Sequence, residues 1–217
     1  NSLVSLCLSK GTVMWHTEPI VFVVDDDENV RKSLGRLIET IGYHVRVFPG
    51  AHEFLAAYDP AEPGCLVLDI RMPGMSGLGL QEKLKEHGDR LPIIFITGHG
   101  DVSTVVEAFR GGAVDFIEKP FSDQKLLESI NQAIDISQEN HCRRVEIEDV
   151  KERLDSLTPR EHQIMEQVVE GNSNKTIAFA LALSPKTVDF HRGNIMEKMG
   201  VNSAVQLTKK VVEVSRT

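Results

Sequence analysis

Five polar side chains of this sequence stand directly after short apolar runs, at points where a buried sheet has no packing use for them. Each apolar run predicts a strand that is buried on both faces, as in a parallel sheet. The carboxyl ends of parallel strands meet at one edge of the sheet, so we expect these side chains to converge there. They are Asp25 and Asp26 after the first strand, Asp69 after the third, Thr97 after the fourth and Lys119 after the fifth.

These residue types favour phosphoryl transfer. Three carboxylates close together repel one another unless a cation is bound, and carboxylate, carbonyl and water oxygens suit Mg²⁺ or Mn²⁺. Asp69 is then a candidate nucleophile toward phosphorus, with Lys119 and Thr97 placed to neutralise and hydrogen-bond the phosphoryl oxygens. Alone, each residue is as well explained as a helix cap, a solvated turn or an ordinary strand residue. Their position after four separate strands favours a site.

The elements that must position these residues alternate along the chain. Helical patterns follow the strands, which predicts a parallel sheet with helices on both faces. Asp101 is the expected N-cap of the fourth helix, and Ser122 is expected to cap a last helix that runs to about Ile136. The predicted strands are Ile20–Val24, His44–Phe48, Cys65–Asp69, Pro92–Ile96 and Val114–Ile117.

From Leu157 onward the pattern is helical only. Thr158-Pro159-Arg160-Glu161 has the form of a capping box. The segments Asn174–Leu181 and Pro185–Met199, joined by a tight turn, predict a helix-turn-helix, and a fourth helix starts near Asn202. The preceding residues 138–155 are polar and charged, so they either continue the previous helix or form a linker, and we expect no fixed core among them.

Composition narrows the class of protein. The chain has 217 residues and a net charge of −8. Residues 20–140 hold 20 acidic and 11 basic side chains, whereas residues 156–217 hold 6 and 8. This asymmetry fits a last domain that meets a polyanion, although an ordinary soluble surface accounts for it about as well. Three scattered cysteines favour a reducing cytoplasm, and no apolar run approaches the roughly 20 residues of a membrane span.

Residues 20–137 resemble the receiver domain of bacterial response regulators. The resemblance implies a five-stranded parallel sheet of order 2-1-3-4-5, with Asp69 phosphorylated by a sensor histidine kinase. It also implies that Thr97, Lys119 and Phe116 respond to the phosphoryl group. The residues that carry it are Val23-Val24-Asp25-Asp26-Asp27, Asp69 with Met72-Pro73-Gly74-Met75-Ser76-Gly77, Ile96-Thr97-Gly98-His99-Gly100, and Glu118-Lys119-Pro120-Phe121.

The same resemblance implies a metal site for Mg²⁺ or Mn²⁺. Asp26 would bind the metal directly, and Asp25 would act largely through water. Asp69 and the main-chain carbonyl of Arg71 would complete the protein ligands. The Lys119–Pro120 peptide bond is expected to be cis.

Residues 156–217 resemble a LuxR-type helix-turn-helix domain of the FixJ/NarL kind, and the stretch from Thr97 to Asp101 points to the FixJ subgroup. The carriers are Leu157-Thr158-Pro159-Arg160-Glu161, Asn174-Lys175-Thr176-Ile177-Ala178, and Leu183-Ser184-Pro185-Lys186-Thr187-Val188 with His191-Arg192. The resemblance implies that Pro185–Met199 is the recognition helix in the major groove. The candidate DNA-binding residues are Lys175, Lys186, Thr187, Asp189, Phe190, Arg192 and Gly193.

Asp189 departs from a simple basic recognition helix. A carboxylate does not bind phosphate, so Asp189 either selects a cytosine amino group or repels wrong sites. Lys186 and Arg192 are candidates for guanine or phosphate contacts, and Lys175 for a phosphate contact. A small helical protein-interaction domain is the alternative for this part of the chain.

The sequence therefore predicts a transcription factor that phosphorylation controls, with activation favoured by the subgroup resemblance. Its expected partners are a sensor histidine kinase, a double-stranded DNA operator, RNA polymerase and, on phosphorylation, a second copy, with no membrane partner. The candidates for a dimer patch are Val105, Val106, Ala108 and Leu127. The expected division is a leader or disordered extension at 1–19, a receiver domain at 20–137, a linker at 138–155 and a DNA-binding domain at 156–217.

Three rival interpretations remain open at this stage. The first is a metal-dependent phosphatase with an aspartyl nucleophile, of the haloacid-dehalogenase type. Such enzymes need a second acid two residues after the nucleophile, where this chain has Arg71. The second is a DNA-binding adaptor that is never phosphorylated, and the third is constitutive DNA binding without a switch.

Overall fold

The structure is a computed structural model that describes residues 18–98 and 101–215. The predicted leader lies almost wholly outside the described residues, as do His99 and Gly100 of the motif after the fourth strand. The chain divides into two compact units, with the division after Cys142. Among the described residues, no helix combines the length and the apolar character needed to cross a membrane.

The first unit is built on a five-stranded parallel sheet with strand order β2-β1-β3-β4-β5, as the resemblance implied. Three strands begin or end one residue away from their predicted bounds. β4 includes Thr97 because the Thr97 carbonyl accepts a hydrogen bond of 2.7 Å from the Lys119 N–H. The strands are β1 Ile20–Val24, β2 His44–Phe48, β3 Gly64–Asp69, β4 Ile93–Thr97 and β5 Asp115–Glu118.

Both faces of the sheet are covered by helices. Every residue of β3 is buried, and alternate residues serve two separate cores. Leu66 and Leu68 pack on the side of α2, α3 and α4, whereas Cys65 and Val67 pack on the side of α1 and α5. The helices are α1 Glu28–Glu39, α2 Ala51–Ala57, α3 Gly77–Glu86, α4 Val102–Arg110 and α5 Asp123–Asp155.

Short polar side chains fix where three of these helices begin. Asp27 accepts from the N–H of Asn29, and Ser76 accepts from the N–H of Gly79. Asp101 accepts from the N–H of Thr104, which confirms the predicted N-cap of α4. Each cap satisfies a donor that the first turn of a helix leaves without an intrahelical partner.

The outward side of α4 corrects the predicted dimer patch. Ala108 is fully buried, because it packs into the core between α4 and the sheet. Val105 and Leu127 are only partly exposed. Val106, the fourth predicted residue, is exposed at 42%, and the other exposed apolar residues of α4 are Val102 and Phe109, at 80% and 48%.

Helix α5 extends without a break through the charged stretch that the sequence left as helix or linker. The expectation that this stretch lacks a fixed core was wrong at its end. Val150 is buried and Leu154 packs beside it in the core of the second unit. Residues four apart lie on the same side of a helix, so this pair forms one apolar edge.

The second unit contains the predicted helix-turn-helix within a set of four further helices. Ile164, Ile177, Val188, Ile195 and Leu207 are all buried in a common core. Ala182, in the turn before the predicted recognition helix, has a φ of 52°. The helices are α6 Pro159–Val169, α7 Asn174–Ala180, α8 Pro185–Lys198 and α9 Ala204–Ser215.

Glu161 ties the start of α6 to the end of α8. Its Oε2 accepts from the Thr158 N–H at 2.8 Å and from Lys198 Nζ at 2.7 Å, and the side chain is almost fully buried. The Lys198 ammonium and the Thr158 N–H lower the pKa of Glu161 from 4.5 to about 2. This confirms the capping box that the sequence predicted.

Replacing Glu161 by Gln is therefore expected to lower the unfolding free energy of this unit by about 2 kcal/mol at pH 7. Because the folded pKa is depressed, the carboxylate's contribution is present above pH 4.5 and is lost as the pH falls toward 2. The difference in unfolding free energy between wild type and variant should shrink over that interval.

Amide hydrogen exchange of α6 and α8 measures this free energy. Glu166→Gln, at an exposed position of the same helix, is the control. Equal losses in both variants would contradict the assignment.

Candidate functional site

A lysine bridges two buried carboxylates at the carboxyl edge of the sheet. Lys119 Nζ lies 2.8 Å from Asp25 Oδ2 and 2.9 Å from Asp69 Oδ1. Asp25 and Asp69 are 1% and 6% exposed, respectively. The three residues follow or end β1, β3 and β5, so the predicted convergence is confirmed for them.

Burial and charge set the pKa values in this cluster. Burial raises the pKa of Asp69 above its ordinary value, the Lys119 ammonium partly offsets that effect, and the Asp25 carboxylate adds to it. Burial by itself would lower the pKa of Lys119, but hydrogen bonds to both carboxylates raise it above the ordinary value. The cluster therefore holds two carboxylates against one ammonium group, with negative charge left over.

The loop after β3 folds back tightly over Asp69. The Arg71 N–H donates to Asp69 Oδ2 at 2.8 Å. The Gly77 N–H donates to the Ile70 carbonyl at 2.9 Å. A Cβ at position 77 would lie 2.4 Å from the Asp69 carbonyl oxygen, so only glycine fits where α3 begins. Each carboxylate oxygen of Asp69 thus has a fixed donor.

Asp25 is held by its own neighbours along the chain. Its Oδ1 accepts from the Asp27 N–H at 2.9 Å, and its main-chain carbonyl accepts from Arg31 Nη1 at 2.6 Å. The sequence analysis missed Arg31. Arg31 lies one turn into α1, six residues after Asp25. The bend between β1 and α1 brings it back to the end of the strand, and nothing in the sequence pattern indicates that bend.

The other predicted pocket residues are placed as follows. Thr97 is buried at the end of β4, and its carbonyl accepts from the Lys119 N–H. The Lys119–Pro120 peptide bond is cis, as the resemblance implied. Phe116 is half-buried and packs against the core on the α2, α3 and α4 side of the sheet.

The donor set fits a divalent cation in chemistry and charge. Asp25, Asp26 and Asp69 with Lys119 carry a formal charge of −2, and carboxylate and carbonyl oxygens are the ligands that Mg²⁺ prefers. Asp26 is exposed, and Lys119 occupies the space between the other two carboxylates. Within residues 18–98 and 101–215, no three His, Cys, Asp or Glu side chains are grouped closely enough to hold a metal ion.

Helix α8 presents most of the predicted DNA-binding residues to solvent. Lys186, Asp189, Phe190 and Gly193 are exposed, and Arg192 is half-buried. Phe190 keeps 66% of its surface exposed, and its ring contacts the ring of His191 at a centroid distance of 5.8 Å. Val188 and Ile195 are buried on the opposite side of the helix. Lys175 is exposed in the first turn of α7.

Thr187 has a local structural partner. Its N–H donates to Ser184 Oγ at 3.0 Å, and its hydroxyl lies 2.8 Å from the same atom. Ser184 is the N-cap of α8, so this pair closes the start of that helix. The sequence analysis missed Asn174, whose side-chain amide contacts both Asp189 and Arg192.

The family is decided by two matches that together span most of the chain. The model of the response regulator receiver domain matches residues 21–131. The model of the luxR family of bacterial regulatory proteins matches residues 155–211. The chain belongs to the response regulators with a LuxR-type DNA-binding domain. This response regulator therefore has the receiver and helix-turn-helix architecture that its sequence predicted.

Relatives over nearly the full length agree with that assignment. The response regulator protein TodT of Pseudomonas putida is 42% identical over 190 residues, which cover 88% of this chain and 84% of TodT. The transcriptional regulatory protein FixJ of Bradyrhizobium diazoefficiens is 41% identical over 193 residues, covering 89% and 94%. The solved structure of the response regulator StyR is 43% identical, with a TM-score of 0.81, and covers 91% of this chain and 100% of that one.

Proposed function

We propose that Asp69 accepts a phosphoryl group from a sensor histidine kinase and that this modification controls binding of the LuxR-type domain to operator DNA. The observation that carries the proposal is the buried Asp25–Lys119–Asp69 cluster at the carboxyl edge of the sheet. In a response regulator that also presents an exposed recognition helix, this cluster is the natural input site. The protein would act in the cytoplasm, where its DNA target lies.

The chemistry assigned to Asp69 is nucleophilic substitution at phosphorus. A carboxylate oxygen attacks the phosphohistidine of the kinase, an acyl-phosphate P–O bond forms, the P–N bond breaks and the imidazole leaves. Lys119 and the Arg71 N–H hold the carboxylate in one orientation. A divalent cation bound by Asp25, Asp26, Asp69 and the Arg71 carbonyl would supply charge neutralisation for the phosphoryl oxygens.

The switch follows from competition for Lys119. Before phosphorylation its ammonium group is shared by two carboxylates. A phosphoryl dianion on Asp69 offers stronger acceptors, and the hydroxyl of Thr97 supplies a second donor from the end of β4. A shift of Thr97 would change the packing available to Phe116 and bias the surface formed by α4, β5 and the start of α5 toward an active state.

The corrected α4 surface is the proposed dimer contact. Val102, Val106 and Phe109 are spaced four and three residues apart, so they form one exposed apolar stripe on α4. A second copy of the receiver domain is the proposed partner, because an isologous contact buries the same stripe on both copies. Dimerisation would make binding of the second half-site effectively intramolecular and strengthen operator binding.

Phe109→Asp is expected to weaken dimerisation of the phosphorylated protein at least about tenfold, because it places a charge in a contact that must become dry. Sedimentation velocity with and without a phosphodonor measures the dimer fraction. Ile41→Asp is the control, since Ile41 is similarly exposed at 40% but lies after α1. Equal dimer fractions for the two variants would rule out the α4 surface.

The output proposal is sequence-specific DNA binding by α8, followed by contact with RNA polymerase and activation of transcription. Selection from random double-stranded DNA with phosphorylated protein tests the first step. The expected result is an enriched site with two related half-sites about one helical turn apart. Absence of any enriched sequence would contradict specific binding. An unphosphorylated adaptor is favoured instead if a phosphodonor with Mg²⁺ gives no gain in protein mass.

A further inference from the structure

Asn174 occupies a bridging position that no role assigned above explains. It is the first residue of α7, after the N-cap Ser173, and it is half-buried. Its Oδ1 accepts from Arg192 Nη1 at 2.9 Å, and its Nδ2 donates to Asp189 Oδ1 at 3.2 Å. One neutral amide thus uses both of its ends on two charged side chains of the recognition helix.

The two charged residues would otherwise pair with each other. Asp189 and Arg192 are three residues apart on α8, a spacing at which opposite charges on a helix attract directly. In the structure, these two described side chains form no direct ion pair, and each is bonded to Asn174 instead. The Asn174 amide therefore takes the place of an ion pair between Asp189 and Arg192. Such a pair would occupy the carboxylate and guanidinium groups that are proposed to contact bases.

The arrangement leaves base-reading capacity on both side chains. Asp189 keeps Oδ2, a carboxylate acceptor suited to a cytosine amino group. Arg192 keeps N–H donors beyond Nη1, and a guanidinium is suited to the O6 and N7 of guanine. Because Asn174 is neutral, it orients both residues and leaves both charges in place.

We propose that Asn174 is a positioning residue that sets the base specificity of α8 by holding Asp189 and Arg192 apart. This rests on the proposed role of those two residues as base contacts. Asn174 acts through them and supplies no phosphate contact of its own. Its loss should therefore change which bases are preferred more than it changes overall attraction to DNA.

The test uses full-length phosphorylated protein and the operator enriched by selection. The affinity of Asn174→Ala is measured for that operator, for each single base-pair substitution, and over a range of salt concentrations. Discrimination is expected to fall about tenfold at one or two base pairs and to stay within twofold elsewhere. The salt dependence should be unchanged, because it reports phosphate contacts.

Two further variants separate positioning from general support of the fold. Asn172→Ala is the matched control, since the Asn172 amide bonds to Gln167 and Glu170 and not to α8. Its base preferences should equal those of wild type. Asn174→Asp keeps an acceptor for Arg192 but repels Asp189, so discrimination should be lost at the Asp189-dependent base pair and kept at the Arg192-dependent one.

The outcomes are distinguishable. If Asn174→Ala lowers affinity equally for every sequence, or leaves the preferences unchanged, Asn174 does not set specificity. If Asn174→Ala fails to fold, as judged by thermal denaturation, the result with Asn174→Asp decides between the same alternatives. If wild-type protein itself shows no base preference, the proposed DNA-reading function fails and not this inference alone.

Discussion

Asp69→Asn protein is expected to gain no phosphoryl group from a small-molecule phosphodonor with Mg²⁺, whereas the wild-type chain gains one. An amide oxygen is a poor nucleophile toward phosphorus, although the amide has nearly the same shape as the carboxylate it replaces. Intact-protein mass spectrometry at matched times measures the gain. The expected effect is complete loss, because no other carboxylate of the cluster lies at the end of β3 between the Lys119 and Arg71 donors.

The same substitution should not destabilise the first unit, which separates chemistry from folding. The folded pKa of Asp69 is raised, so its ionised form opposes folding at neutral pH. The protonated carboxyl of Asp69 therefore contributes to the free energy of unfolding below pH 3.8, the pKa of the unfolded state. That contribution is lost as the pH rises through the folded pKa. Asp69→Asn should therefore unfold at pH 7 with a free energy equal to or above that of wild type.

A matched control is Asp59→Asn, at an exposed carboxylate that caps the turn before β3. It should be phosphorylated as fast as wild type. A full mass gain in Asp69→Asn would show that the acceptor is another residue. A gain in neither protein, wild type included, would instead favour an adaptor that is never phosphorylated.

Lys119→Met is expected to have the second large effect, because it leaves two buried carboxylates without their shared cation. We expect the unfolding free energy of the first unit to fall by about 3 kcal/mol at pH 7. The pKa of Asp69 should rise further, since the lysine is what offsets the effect of burial. The penalty should therefore shrink as the pH falls from 7 through that folded pKa toward 3.8.

Urea denaturation of the variant at several pH values, followed by far-ultraviolet circular dichroism, measures both the loss and its pH dependence. Adding Asp69→Asn to Lys119→Met removes one of the two charges and should recover part of the lost free energy. Lys125→Met is the control, since Lys125 pairs with Asp115 at a half-exposed position. It should cost less than about 1 kcal/mol. A pH-independent loss, or no recovery in the double variant, would contradict the charge argument.

Lys119→Met should also uncouple phosphorylation of Asp69 from the change in DNA binding. If the ammonium is what the phosphoryl group recruits, the variant's operator affinity should stay at the unphosphorylated level even when a phosphoryl group is present. This makes Lys119 the residue that separates acceptance of the group from the response to it.

The sheet and the pocket were predictable because buried parallel strands have continuous apolar sequences, so polar residues that directly follow them are easily recognised. Asp25, Asp69 and Lys119 lie in contact as expected, although they are far apart in the sequence. Local capping signals also carried over, at Asp101 and in the box formed by Thr158 and Glu161. Each of these features depends on neighbours in sequence or on the one edge that strand order defines.

Contacts between elements were not predictable in the same way. Asn174 meets residues 15 and 18 positions later, across the turn between two helices. Ala108 belongs to an apolar helix whose periodicity does not say which side faces the sheet, and it proved to be buried. Val150 and Leu154 are isolated apolar residues within a charged stretch of the sequence, and they are part of a core only because α6–α9 pack against them. In each case the missing information is which surface another element covers.

The central claim is that phosphorylation of Asp69 controls operator binding, and operator affinity tests it most directly. Wild-type and Asp69→Asn proteins are titrated against the selected operator at one salt concentration, with and without a phosphodonor and Mg²⁺. We predict that the affinity of wild type rises at least about tenfold on phosphorylation and that the affinity of Asp69→Asn does not change. An unchanged affinity in wild-type protein that carries the phosphoryl group would contradict the account.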